Sequence, residues 1–247
     1  MSMFQRTAQI IGDGGVALLA QKRVAVFGVG GVGGAVCEAL ARAGIGGLAL
    51  FDDDTVAESN LNRQLVALRS TLGRRKVDVM AERIADINPA CTVEAHPVFY
   101  TPDNAHHYPF AGYSYVVDAV DTVSAKLQII VRAKRAGVPV ISAMGAGNRL
   151  HPERFEVTDI AKTSGCPLAR VMRRELKKLG VTGVQVVYSQ EPPVRHGGMA
   201  AQSEAPTEIP DRPGALKPNP PGSISFVPVA AGMVVAGAVV RDLLGLA

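Results

Sequence analysis

The chain has 247 residues, 47% apolar and 19% charged, which is enough to close a sizeable core as one large domain or two small ones and excludes a disordered tail. Lys and Arg number 26 against 22 Asp and Glu; the formal charge of +4 suits an anionic partner but is far from a polycation. The 3 cysteines, Cys37, Cys91 and Cys166, form no C-x-x-C pair, which argues against a disulfide framework and a structural zinc site and for a reducing, cytoplasmic setting.

Residues 1–9 show no apolar stretch behind a basic start, so no secretory leader is expected. Residues 7–21 read as an amphipathic helical lead-in, broken by Gly12-Asp13-Gly14-Gly15 and lying outside any sheet. Val24 to Phe27 is a short β-leaning run, followed at once by the glycines of 28–34 and then by a good helix former over 35–43. The alternation continues with strand 48–51, helix 76–87 stopped by Asn88-Pro89, strand 92–98, a helix after Thr101-Pro102, strand 115–119, helix 124–136 and strand 139–142. This pattern predicts an α/β fold of Rossmann-like type, a mostly parallel sheet with helices on both faces.

After Gly147 the alternation weakens into an irregular C-terminal extension with a brief strand at 155–157, a helix at 167–179 and a strand at 184–188. Residues 195–222 are rich in Pro, Gly, Ser and Glu and read as a flexible loop, either a cover for a substrate or a plain linker. The apolar run 224–240 contains Pro228 and several glycines, which favours a buried terminal strand and helix over a membrane span. The organisation expected is a lead-in at 1–22, a nucleotide-binding core at 23–147 and a substrate and dimer region at 148–247.

Gly28, Gly30 and Gly33 fit G-x-G-x-x-G, a turn that brings backbone N–H groups and a helix N-terminus to a nucleotide phosphate. Asp52, at the end of the second strand, would suit the ribose of NAD or ATP equally. The companions favour a triphosphate. Arg63 can fork onto phosphate oxygens, Lys76 can act as a point charge beside them, and Asp121 at a strand end can hold magnesium. The bland alternative is that Arg63 and Lys76 are solvated surface charges and Asp121 caps the next helix.

The stretches GVGGVGG, DDDTV, SNLNRQ, the lysine of GRRKV and DAVDT, in this order, resemble the ubiquitin-activating-enzyme-like superfamily of ATP-dependent adenylating enzymes, from Arg6 to the C-terminus. Within it the chain is most similar to the tRNA threonylcarbamoyladenosine dehydratases of ThiF/HesA type, on the strength of Arg6-Thr7-Ala8, residues 112–119 and residues 155–163. That resemblance implies an ATP-dependent closure of threonylcarbamoyladenosine in tRNA to its hydantoin through an acyl adenylate. The alternative is adenylation of the Gly-Gly tail of a ubiquitin-like sulfur carrier, whose activators usually carry paired C-x-x-C zinc ligands that this chain lacks.

By the same resemblance Gly31 and its neighbours line the ATP phosphates, Asp52 the ribose, Asn60 and Arg63 the triphosphate, and Lys76 the reacting phosphate. Asp54, Ser59 and Thr122 complete the ATP-binding set, Asp121 holds magnesium, and Arg6 reaches the partner's ATP in a homodimer. The stretch 219–226 lacks the cysteine that some dehydratases carry there, which counts against a sulfur-transfer partner.

Arg170, Arg173, Arg174, Lys177 and Lys178 form a basic face opposite the apolar stripe of the 167–179 helix, either a contact for tRNA phosphates or an ordinary solvated face. Cys166, ahead of Pro167 at a helix start, is the one cysteine placed to be reactive, with packing as its ordinary role; Cys37 and Cys91 read as small core residues. His106 and His107 read as a surface turn.

Overall fold

The computed structural model describes residues 2–194 and 221–246. A seven-stranded sheet in the order β3-β2-β1-β4-β5-β7-β6 organises them. The strands are β1 (Arg23–Phe27), β2 (Gly47–Phe51), β3 (Thr92–His96), β4 (Tyr115–Asp118), β5 (Val140–Ala143), β6 (Phe155–Asp159) and β7 (Gln185–Ser189). All neighbours pair parallel except β6, which runs antiparallel along β7.

The strands are apolar on both faces because both are covered. Val24, Val26, Leu48, Leu50, Val117 and Ile141 point into one core, while Ala25, Phe27, Ala49, Phe51, Val116 and Val140 point into the other. The helices α2 (Gly31–Ala43), α3 (Lys76–Ile87) and α6 (Phe226–Leu244) contribute to the first core, and α4 (Val123–Arg135) and α5 (Pro167–Lys178) to the second.

The lead-in helix α1 (Gln5–Leu19) lies outside the sheet and kinks at Gly12, whose φ of 75° leaves the helical region. The weak signals in 148–194 extend the same sheet, with β6 and β7 as its last two strands. Within the run at 224–240 the described residues form a helix, α6, from Phe226 on, and no strand; Pro228 is tolerated because it stands in the first turn, where an N–H has no helical partner. By length and composition α6 could cross a membrane. It instead lies against α2, so closely that a Cβ on Gly232 would come within 2.5 Å of the Val32 carbonyl.

The helix expected after Pro102 is only one turn, Ala105–His107. Asn104 takes the backbone there: its Oδ1 accepts from the Thr101 N–H at 2.9 Å and its Nδ2 donates to the Phe99 carbonyl at 2.8 Å. Tyr100 and Phe110 then fold onto Phe27 instead of forming a helical stripe. His106 and His107 stay on the exposed turn. The loop reading of 195–222 falls, for residues 195–220, outside the described residues.

Candidate active site

The carboxyl ends of β1, β2 and β4 bring the glycine turn, the Asp52–Asp54 stretch and the 119–122 loop together, where open α/β sheets bind ligands. Gly28 has a φ of 88°, and a Cβ there would meet the Ala119 carbonyl at 2.7 Å. A Cβ on Gly33 would sit 1.8 Å from the Gly28 carbonyl, so helix α2 and β1 approach to backbone contact. Gly30 precedes α2, and no side chain caps that helix end. The first N–H groups of α2 are thus left to an anion.

Asp52 ties the turn to β2. One carboxylate oxygen accepts from the Val29 N–H at 2.6 Å and the other from the Asp54 N–H at 2.9 Å, leaving each a further lone pair for ribose hydroxyls. Burial raises the Asp52 carboxyl above its ordinary value, against the pull of Lys76 and these two N–H groups.

Lys76 opens α3, and its placement follows from backbone pairing between the 54–56 and 73–76 stretches. Its N–H donates to the Asp54 carbonyl at 3.0 Å, and Val56 N–H donates to the Arg74 carbonyl at 2.8 Å. The Lys76 ammonium, 5% exposed, lies 2.5 Å from Asp54 Oδ2 and 4.0 Å from Asp52 Oδ1. It is no solvated surface charge.

Arg63 is half-buried and folds back on its own loop, donating at 2.8 Å to the Ser59 carbonyl and to Asn62 Oδ1. The turn is held by Asn60, whose Oδ1 accepts from the Ala57 N–H and whose carbonyl accepts from Gln64 N–H. The loop abuts the helix start: a Cβ on Gly31 would lie 3.5 Å from the Arg63 carbonyl and 3.0 Å from Pro228 of α6.

Asp121 is exposed, with the Thr122 hydroxyl 3.5 Å from its carboxylate, and Thr122 stands just before α4. The carboxylates of Asp52, Asp53 and Asp54 lie within 4.8 Å of one another. Burial, then the negative charges of Asp54 and Asp121, hold the Asp53 carboxyl above its ordinary value. Clustered carboxylates that resist charge suit a hard divalent cation.

Sequence reasoning missed the anchor beneath these residues. Asp118 and Lys126 are fully buried, with the Lys126 ammonium 3.0 Å from Asp118 Oδ2. Ser142 donates to the same oxygen at 2.5 Å, and Lys126 also donates to the carbonyls of Val120 and Ala143 at 2.9 and 2.8 Å. One ammonium thereby fixes the loop carrying Asp121 to the ends of β4 and β5. The available signal was a lysine eight residues after a strand-end aspartate, on the buried stripe of its helix.

The remaining expected residues lie apart from this cluster. Arg6 is exposed on α1. On α5, Arg173 is committed to Thr163, donating to its carbonyl and hydroxyl at 2.7 Å, while Arg174 and Lys178 pair with Glu175. Arg170 and Lys177 remain exposed. Cys166 is buried just before α5 and packs against Gly145.

A family model described as the ThiF family matches residues 4–246. The chain belongs to the ThiF family. This family member is 42% identical over 247 residues to the tRNA threonylcarbamoyladenosine dehydratase of Bacillus subtilis (strain 168), covering 99% of this chain and 95% of that one. It is 38% identical over 219 residues to the protein of the same name from Escherichia coli (strain K12), covering 85% and 82%. Among solved structures, the Escherichia coli tRNA N6-threonylcarbamoyladenosine dehydratase TcdA in complex with ATP superposes with a TM-score of 0.85 at 36% identity, covering 98% of this chain and 94% of that one. A complex of the same enzyme with AMP matches equally well, with a TM-score of 0.85.

Proposed function

We propose that this chain is an ATP-dependent tRNA threonylcarbamoyladenosine dehydratase. The observation that carries the reading is the uncapped start of α2 facing the loop of Arg63 and the buried Lys76, in a chain alignable along 99% of its length with a dehydratase.

In the first step a carboxylate oxygen of the threonylcarbamoyl group bonds to the α-phosphorus of ATP and the bond to pyrophosphate breaks. Two anions must meet, so the chain must supply fixed positive charge where charge builds up. The α2 N–H groups hold the phosphates and Asp52 orients the ribose. Arg63, turning from the Ser59 carbonyl, and Lys76, exchanging Asp54 for a phosphate oxygen, take the charge on the transferring group. Asn60 and Ser59 shape the Arg63 loop. Asp121 and Asp53, whose charges act on each other, would hold magnesium, which would supply positive charge beside the triphosphate. In the second step a carbamoyl nitrogen bonds to the acyl carbon, loses its proton and expels AMP; the net change is loss of one water. This step is intramolecular, so orientation suffices and no covalent cysteine is needed.

The enzyme acts in the cytoplasm as a homodimer in which Arg6 reaches the partner's ATP. The observation that supports the dimer is that Arg6 is exposed on α1, a helix that also carries the exposed Ile10. The exposed Arg170 and Lys177 meet tRNA phosphates.

The test is release of AMP and pyrophosphate in the presence of tRNA with or without the threonylcarbamoyl group. Release only with the modified tRNA is expected. Release driven by the Gly-Gly tail of a ubiquitin-like carrier, and not by tRNA, would overturn the assignment.

A further inference from the structure

Between β5 and β6 lies a buried cation that the adenylation chemistry does not use. Arg149 is 3% exposed, and its Nε and Nη1 have no hydrogen-bond partner among the described residues. A buried guanidinium with unpartnered N–H groups is costly, and an acidic neighbour is the usual remedy. Glu191, itself 4% exposed, is the acidic neighbour here: its two oxygens accept from the N–H groups of Leu150 at 2.9 Å and His151 at 3.1 Å, and against burial these bonds, then the charges of His151 and Arg149, hold its carboxyl below the ordinary value. No ion pair joins Glu191 to Arg149 among the described residues. The arginine is held in place with donors to spare.

Its surroundings are fixed and close to the phosphate cradle. Asn148, with a φ of 55°, accepts from the Val194 N–H at 2.8 Å through its carbonyl. It also exchanges two bonds with Gly222, each 2.7 Å long. The next residue, Ser223, accepts through its carbonyl from Asn62 Nδ2 at 3.0 Å, immediately beside Arg63. A short run of hydrogen bonds therefore links the Arg149 shelf to the loop that carries Arg63. The shelf leaves the carboxyl end of β5, and Gly145 on it abuts Cys166 at the start of α5, one turn before the exposed Arg170.

We propose that Arg149 is a receptor for an oxyanion of the tRNA substrate, distinct from the ATP-phosphate cradle and set beside it. This rests on the dehydratase reading above. A guanidinium whose Nε and Nη1 both lack partners among the described residues can give a carboxylate or a phosphate charge-assisted hydrogen bonds. Two groups of the substrate have that chemistry, the threonyl carboxylate and a backbone phosphate. An oxyanion bound at a guanidinium this buried is shielded from water, where such bonds are strongest.

The test compares native enzyme with Arg149→Lys and Arg149→Met, reading the Kd for ATP, the Kd for tRNA with and without the threonylcarbamoyl group, the KM and kcat for the modified tRNA, and the Tm. Arg149→Met is expected to raise the Kd and KM for modified tRNA by roughly ten- to a hundredfold, with the ATP Kd unchanged and partial recovery in Arg149→Lys. Weakening confined to modified tRNA identifies the carboxylate as the bound group; equal weakening for both tRNAs identifies a backbone phosphate. Unchanged tRNA binding, or loss of ATP binding and a lowered Tm in both variants, would assign Arg149 to the fold alone and overturn the proposal. If native enzyme fails to convert modified tRNA, the dehydratase reading falls first, and that result is read from the native protein alone.

Discussion

Two sets of charges lie a few residues apart at the carboxyl edge of the sheet and are built in opposite ways. In the cradle, Asp54 is 64% exposed along its side chain, Asp121 is exposed, and Arg63 is half-buried and, among the described residues, bonded to its own loop. In the anchor, Asp118 and Lys126 are fully buried and every polar atom reaches a partner on β4, β5 or the loop between β4 and α4. The cradle's charges can change partners when ATP arrives, whereas the anchor's cannot. The first set suits chemistry and the second suits holding the first in register.

If that division is right, variants in the two sets fail differently. The largest effect is expected for Arg63→Ala. An arginine that stabilises charge on a transferring phosphoryl group contributes roughly a thousandfold in rate, so turnover should nearly vanish while the Tm stays near native. Retention of more than about a tenth of native turnover would remove Arg63 from that role. Next comes Lys126→Met, which leaves Asp118 buried without its counter-ion and should cost about 3–5 kcal/mol in chemical denaturation. Activity should fall along with stability, unlike in Arg63→Ala.

Third, Gly33→Ala forces a Cβ to within 1.8 Å of the Gly28 carbonyl, so the strand and α2 must separate. A loss of about 1–3 kcal/mol and weaker ATP binding are expected. Gly14→Ala, where a Cβ meets nothing within 4 Å, serves as the control and should be neutral or slightly stabilising. Similar losses in both variants would contradict the close contact of Gly28 and Gly33.

The smallest effect concerns pH. The Asp52 carboxyl is raised in the folded protein, chiefly by burial, so the folded state holds its proton longer than the unfolded chain does. Its contribution to stability is therefore present at acid pH and lost as pH rises past the ordinary carboxylate range and through the raised value. Asp52→Asn removes that loss. The Tm of Asp52→Asn relative to native should climb as pH rises over this interval; a flat or falling difference would mean that Lys76 and the two N–H groups outweigh burial.

The parts legible in the sequence were those encoded by neighbouring residues. The strand-glycine-helix order at 24–43 and the strand-end aspartates depend on spacings of a few residues, and the sheet has them where the alternation puts them. Lys76 was expected beside the phosphates, but its pairing with Asp54 joins residues 22 positions apart and only backbone pairing reveals it. The anchor was harder to read for the same reason: Ser142 and Asp118 are 24 residues apart, and the one local mark of Lys126 is its place on the buried stripe of its helix. Asn104 redirected the 99–110 stretch through two side-chain bonds that compete with helix formation. Arg173 looked like one of five equal basic residues until Thr163 claimed it.

The most direct test of the account is mass spectrometry of nucleosides from threonylcarbamoyladenosine-containing tRNA incubated with this protein, ATP and magnesium, under conditions mild enough to preserve the hydantoin. The account predicts a nucleoside lighter by one water, formed only with ATP and lost in Arg63→Ala. An unchanged nucleoside, with intact tRNA and ATP shown to be bound, would contradict it.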